Sequence, residues 1–271
     1  MTTIHPTAIV APSVKLGDNV QVGPHTVIEG DVTIGRGTIV RDHCHIEGST
    51  IIGEDCRIGP AAYVGLDAQH LRFKADPTNP TYARIGNRVT IREGASVHRA
   101  INPGIEKATT IGDDCYFMGQ SHVGHDCVLA DHVIMANGVL LGGHCTIGPN
   151  VFMGGGSVVH QFCRIGKYVI VGGNEAVTRD VPPFGAVWGA RLKGYNAVGC
   201  RRSGMNRQAI VSIRGAYQQL HTHRTMSAAV AAIRAEVPDT AEVREILEFI
   251  AATKRGIVPS AARGDVEDTP E

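Results

Sequence analysis

Counting every sixth residue from Ile4 gives Ile4, Val10, Leu16, Val22, Ile28, Ile34, Val40, Ile46, Ile52, Ile58 and Val64, all aliphatic. The phase returns at Ile85, Ile91 and Val97. It returns again at Ile111 and runs through Phe117, Val123, Leu129, Met135, Leu141, Ile147, Met153, Val159, Ile165 and Val171 to Val177. An α-helix cannot hold a six-residue apolar register on one face, and a lone strand repeats every two. A parallel β-solenoid can hold it. Short strands alternate with turns, each repeat turns one aliphatic side chain inward, and stacked coils close the core. Composition agrees: 33 glycines in 271 residues and few aromatics suit tight, regular turning.

The cysteines fit the same ruler. Six of the seven, Cys44, Cys56, Cys115, Cys127, Cys145 and Cys163, fall four places after a hexad's aliphatic residue, a slot shared with Thr26, Ala62, Ser121, Val133 and Ser157. That slot is for small inward residues, and buried cysteine behaves as a small hydrophobe. Cys127, Cys145 and Cys163 would stack, which raises a metal reading, but no Cys-x-x-Cys accompanies them and core is expected. Glu175 occupies the same slot without evident reason.

Two stretches break the phase, 66–84 and 98–110, both with Pro, Asn and charge, and both are expected to leave the coil as loops. Tolerated surface insertions are one reading; binding loops are the other, favoured more strongly for 66–84. Solenoid is expected over 1–188. Helices should follow over 189–257: one capped by Asn206 with Ile210, Ile213, Tyr217 and Leu220 on a face, one carrying Met226, Val230, Ile233 and Val237, and one begun by an Asp239/Glu242 capping box. Residues 258–271 are polar and expected to be disordered.

Lys+Arg and Asp+Glu are equal at 26 each, so no global field favours nucleic acid or an anionic membrane. The N-terminus lacks signal-peptide character, and no apolar run is long enough for a bilayer span, so a cytoplasmic protein is expected.

Positions 18 apart stack, so chemistry can be sought in columns. One column holds His125, Gly143 and Gln161, the next Asp126, His144 and Phe162, and the preceding one Gly124, Gly142 and His160. If 98–110 is an eight-residue excursion, Val97 lies one coil below Val123 and His98 joins this edge. Histidine is the side chain suited to proton transfer near neutrality, so His125 can take a hydroxyl proton, Asp126 can orient it, and Gly143 offers an unobstructed N–H to an oxyanion. Cys127 belongs to the inward slot, so no covalent nucleophile is evident, and direct transfer by a base is the reading.

The strings Ser121–Cys127 (SHVGHDC), Leu141–His144 (LGGH) and Val159–Cys163 (VHQFC) resemble the UDP-N-acetylglucosamine 3-O-acyltransferases of lipid A biosynthesis. The loop Gln69–Phe73 (QHLRF), Asp180–Pro183 and Arg201–Arg202 match in the same order. The resemblance implies a left-handed parallel β-helix of hexapeptide repeats followed by a small α-helical C-terminal domain. It implies transfer of a 3-hydroxyacyl chain from acyl carrier protein to the 3-OH of the UDP-sugar, the first step of lipid A biosynthesis. His125 would be the base, Asp126 its partner and Gly143 the oxyanion donor. His70, Arg72, His122, His144, His160 and Gln161 would contact substrate, Asn196 and Arg202 would hold the nucleotide, and Gly173 would set acyl length. It further implies a homotrimer with sites between subunits, no metal and no cofactor beyond the phosphopantetheine of the carrier protein.

The sequence departs from the family at His70, where Asp is usual, and at Val198, where Glu is common. A 3-amino UDP-sugar acceptor, giving an amide, is therefore an alternative. A zinc carbonic anhydrase using His98, His122 and His125, the later N-acyltransferase of the same pathway and a non-catalytic scaffold are the others.

Overall fold

The computed structural model describes residues 1–260; the expectation for the polar tail lies largely outside them. Among the described residues the strands form three sheets of eleven, nine and eight, here sheets I, II and III, parallel throughout except for the last strand of sheet I. Most strands are two residues long and pair with the strand 18 residues on, as in His122↔Leu140 and Ile134↔Phe152. The aliphatic residue of each hexad points inward and is buried from Val22 to Val177. Ile4 is 48% exposed because it lies in the first coil, which has no coil beneath it.

The turns show how a six-residue unit closes. The third residue after the inward aliphatic adopts a left-handed backbone at corner after corner: Asn19, His43, Asp55, Asp114, Asp126, His144 and Asn150 have φ between 55° and 62°. Asn, Asp and His tolerate this region better than other side chains, which explains why they recur there. The six repeat cysteines are free and buried as expected. Their S–H groups point to carbonyls of the next coil, as in Cys44 Sγ to Gly59 O at 2.8 Å and Cys127 Sγ to Gly142 O at 3.2 Å.

Both phase breaks are excursions, narrower than expected. Strands at Tyr63–Leu66 and Tyr82–Ile85 bracket the first, and Ser96–His98 and Thr109–Ile111 the second. The coil resumes in register after each, with Val64 paired to Val97 and Val97 to Val123. The second excursion contains a 3₁₀ turn at Ile105–Lys107.

The solenoid does not stop at Val177. Gly185–Trp188 adds to sheet I in parallel, and Arg191–Tyr195 folds back on it antiparallel, past the boundary expected at 188. Glu175 explains itself here: its carboxylate accepts from the Gly189 and Ala190 N–H groups, both at 2.7 Å, at the tip of that hairpin.

Four helices follow among the described residues. A short α1 at Ala197–Arg202 escaped the pattern reading. In α2, Arg207–Thr222, Asn206 caps the Ala209 N–H, and Ile213, Tyr217 and Leu220 are buried. In α3, Met226–Glu236, the cap is Thr225, and Met226 is exposed. In α4, Ala241–Ala251, the cap is Thr240, not Asp239, which instead pairs with Arg244 at 2.9 Å. Threonine also caps, though less well than aspartate, and the register of Val243, Ile246, Leu247 and Ile250 on the core places it at the cap position.

Candidate active site

His125 and Asp126 occupy the corner between sheets II and III, just after the strand His122–Val123. His125 is nearly buried, and its Nδ1 lies 2.7 Å from Asp126 Oδ2. The left-handed backbone at Asp126, φ 59°, brings neighbouring side chains to the same side. Two residues of the second excursion hold the carboxylate, and Thr109, where the coil resumes, fixes the backbone of Asp126. Ile101 N–H donates to Oδ2 at 3.1 Å, Asn102 Nδ2 lies 3.5 Å from Oδ1, and the Asp126 N–H donates to Thr109 Oγ1 at 2.7 Å. Sequence reasoning missed all three. Their only signal was that the chain leaves the coil one turn before the histidine.

The expected column forms. The His144 ring is 5.1 Å from His125, centroid to centroid, and stacks on Phe162 at 4.5 Å. Gly143 lies directly over the His125 ring: a Cβ there would sit 2.4 Å from His125 Cε1. The first excursion reaches back to the same corner, setting the His70 ring 6.0 Å from that of His125. With Nδ1 committed to Asp126, Nε2 is the nitrogen left to face a substrate.

His122 points outward from sheet II one coil from His98, ring to ring 5.0 Å, and its Nδ1 is 2.9 Å from Ser96 Oγ. Burial holds its imidazolium form down, with the pKa at about 4. Burial likewise lowers His98 and His144 from their ordinary values. All three therefore stand mostly neutral around His125 at pH 7.

Other expected contacts lie apart. The His160 ring meets Arg255, at 3.2 Å, and not His125. Gln161 is exposed on the coil above Gly143. Arg72 and Arg202 are exposed, and no side-chain hydrogen bond or ion pair holds either among the described residues. Gly173 lies at the corner between sheets I and II, three coils along, roughly 14 Å at the usual strand spacing. The Asn196 side chain is occupied structurally, accepting from Gly199 N–H at 2.9 Å to cap α1 and donating to Tyr168 O at 2.8 Å.

His98, His122 and His125, the set a zinc hydratase would use, do not converge as ligands. Among the described residues the groups that bring three ligand atoms within 4.8 Å are His125, Asp126 and His144, and Glu29, His45 and Glu47.

A solenoid of hexads with a buried histidine–aspartate pair at one corner is the arrangement expected of a hexapeptide-repeat transferase. Residues 31–65 and 108–143 match the bacterial transferase hexapeptide (six repeats) model, and 180–258 match domain 2 of UDP N-acetylglucosamine O-acyltransferase. The acyl-[acyl-carrier-protein]–UDP-N-acetylglucosamine O-acyltransferase of Trichlorobacter lovleyi is 49% identical over 94% of this chain and 98% of its own. The enzyme of the same name from Thermodesulfovibrio yellowstonii is 40% identical over 95% and 99%. The structure of LpxA from Acinetobacter baumannii superposes with a TM-score of 0.86 at 36% identity, covering 94% of this chain and 99% of that one. The chain belongs to the UDP-N-acetylglucosamine O-acyltransferase family, and its solenoid is a left-handed β-helix.

Proposed function

We propose that this chain moves a 3-hydroxyacyl group from acyl carrier protein to the 3-hydroxyl of UDP-N-acetylglucosamine, opening lipid A biosynthesis. The observation that carries the reading is the 2.7 Å contact between His125 and Asp126, which leaves Nε2 as a base at a partly dry corner. Nε2 takes the sugar hydroxyl proton as the oxygen attacks the thioester carbonyl. The Gly143 N–H, unpaired among the described residues, is the donor proposed for the resulting oxyanion. Collapse breaks the C–S bond, and the imidazolium, steadied by Asp126, returns the proton to the leaving phosphopantetheine thiolate. The thioester already activates the acyl group, so this route calls for no resident metal or cofactor.

His70, Arg72, His122, His144, His160 and Gln161 are proposed as substrate contacts, Asn196 and Arg202 as the nucleotide end and Gly173 as the acyl-length limit. For Asn196 the proposal falls on its backbone, since the side chain caps α1. The relatives are named for O-acyl transfer, which favours a hydroxyl acceptor over a 3-amino sugar. Arg201, Arg207, Arg214 and Arg224 are exposed on or beside α1 and α2, which supports docking of an acidic carrier domain there. The outward face of sheet II next to the site shows Leu140 at 44% and Val158 at 39% exposure, which supports a homotrimer with subunits meeting over the corner. No helix among the described residues is long and apolar enough to cross a membrane, and a cytoplasmic location is proposed with the carrier-protein donor.

The test incubates the enzyme with 3-hydroxyacyl carrier proteins of several lengths and either UDP-N-acetylglucosamine or its 3-amino analogue. Ester formation is expected. Amide formation alone would replace the acceptor, and no product with any donor would remove the proposal.

A further inference from the structure

A chain of polar contacts ties the edge of this corner to the helical domain, and it begins in the interior. Asp180, 1% exposed, accepts from the backbone N–H and Nε of Arg164, both at 2.9 Å, and from Thr253 Oγ1 at 2.8 Å. Its own N–H donates to Gly256 O at 3.0 Å and its carbonyl accepts from Val258 N–H at 2.9 Å. Arg164 also donates to Phe249 O at 2.8 Å and lies over the Phe249 ring at 4.2 Å. A buried carboxylate satisfied this fully is directional, because losing any partner strands a charge. It fixes the segment after α4 against the end of the solenoid.

Arg255 sits in that segment. Its Nε and Nη2 donate to Thr178 O at 3.4 and 3.2 Å, and Nη2 lies 3.2 Å from His160 Nδ1. A guanidinium only donates, so this contact needs a lone pair on Nδ1 and places the ring proton on Nε2. The same Nδ1 lies 3.0 Å from Gln161 O, a contact that needs the proton on Nδ1 instead. The two partners demand opposite tautomers.

The geometry points to Arg255 as a positioning residue that fixes His160 as its Nε2–H tautomer, so that the corner offers substrate an N–H donor. The donor suits an oxygen acceptor on the acyl or sugar substrate. This use of His160 rests on the acyl-transfer reading; the tautomer itself does not.

The experiment records imidazole ¹⁵N signals of the full-length protein labelled at histidine, with His160 assigned through a His160→Gln variant. The wild type should show a protonated Nε2 and an unprotonated Nδ1 at His160. Arg255→Ala should shift the proton toward Nδ1, and Arg255→Lys, which keeps a donor, should restore much of the wild-type pattern. The KM for the UDP-sugar should rise up to about tenfold in Arg255→Ala with kcat little changed, the loss of one hydrogen bond. An unchanged His160 tautomer in Arg255→Ala overturns the inference, even if stability falls through the lost Thr178 contact. The spectra report whether or not acyl transfer is the activity, so failure of either claim is visible separately.

Discussion

His125 Nδ1 and Asp126 Oδ2 are 2.7 Å apart although the residues are consecutive, and the solenoid corner is what makes this possible. The reversed pair at an equivalent corner, Asp42 and His43, also touches, at 3.2 Å. Contact alone therefore does not mark a site. Burial separates them: the side chains of His125 and Asp126 are 10% and 9% exposed, those of His43 and Asp42 61% and 35%. The two excursions dry one corner of a repeating set, and a hydrogen bond to a carboxylate gains strength as water leaves.

His125→Ala should lower acyl transfer by ~10²–10⁴-fold, the usual worth of a general base, with the fold intact by circular dichroism. Asp126→Asn should cost less, because the ring keeps a hydrogen-bond partner but loses the charge that steadies its imidazolium. Steady-state rates with carrier-protein substrate decide it; a His125→Ala enzyme near wild-type activity would remove the base assignment.

Gly143→Ala separates geometry from chemistry. The new methyl would meet the His125 ring at 2.4 Å from Cε1, so the imidazole must turn off Asp126. Misplacing a base by about 1 Å costs on the order of 100-fold in rate. Activity should fall by about that factor while the melting temperature moves little, since the displaced ring lies at the edge of the core. Equal rates in the two proteins would contradict the ring position.

How far the sequence spoke depends on the kind of constraint. The aliphatic register at Val123 and Leu141 and the inward slot at Cys127 follow from a period, which any stretch of chain displays. The His125–Gly143 column followed by counting along the same period. Ile101, Asn102 and Arg255 were invisible because they reach their partners from outside the repeat, by way of an irregular loop and a docked C-terminal segment. Thr240 and α1 were missed for a related reason: tertiary packing chose among several local caps.

The repeat thiols should resist labelling. Burial pushes Cys44 and Cys163 up to about 11 and Cys115 to about 12, so almost no thiolate exists at pH 8. Ellman's reagent on the native protein should leave these three unreacted over minutes, and denaturant should expose all of them. Rapid native labelling at any of the three would mean that its coil opens.

Glu175 should be worth its two charge-assisted hydrogen bonds to the hairpin tip. Gly189 and Ala190 both have positive φ, 60° and 53°, the pattern of a tight turn that alanine fits poorly. Glu175→Ala should destabilise by about 1–3 kcal/mol in urea unfolding. Ala190→Gly in that background should recover part of it, because the turn no longer needs forcing. A Glu175→Ala protein with wild-type stability would show that the hairpin holds itself.

His122 predicts a pH dependence with a definite sign. Its pKa is about 4 in the folded chain, because burial disfavours the charged ring, against about 6.5 for an unperturbed histidine. Between these values the unfolded chain binds a proton that the folded chain does not, so stability rises with pH across the window and is lost as pH falls from about 6.5 toward 4. The full difference is on the order of 3 kcal/mol for this one group. His98 and His144, also lowered, act in the same direction. Urea unfolding at pH 7 and pH 5 should show the wild type losing stability, and His122→Asn, which cannot titrate, losing less over the same interval. If both proteins lose the same amount, His122 is not the half-buried neutral ring that its place beside Ser96 and His98 requires.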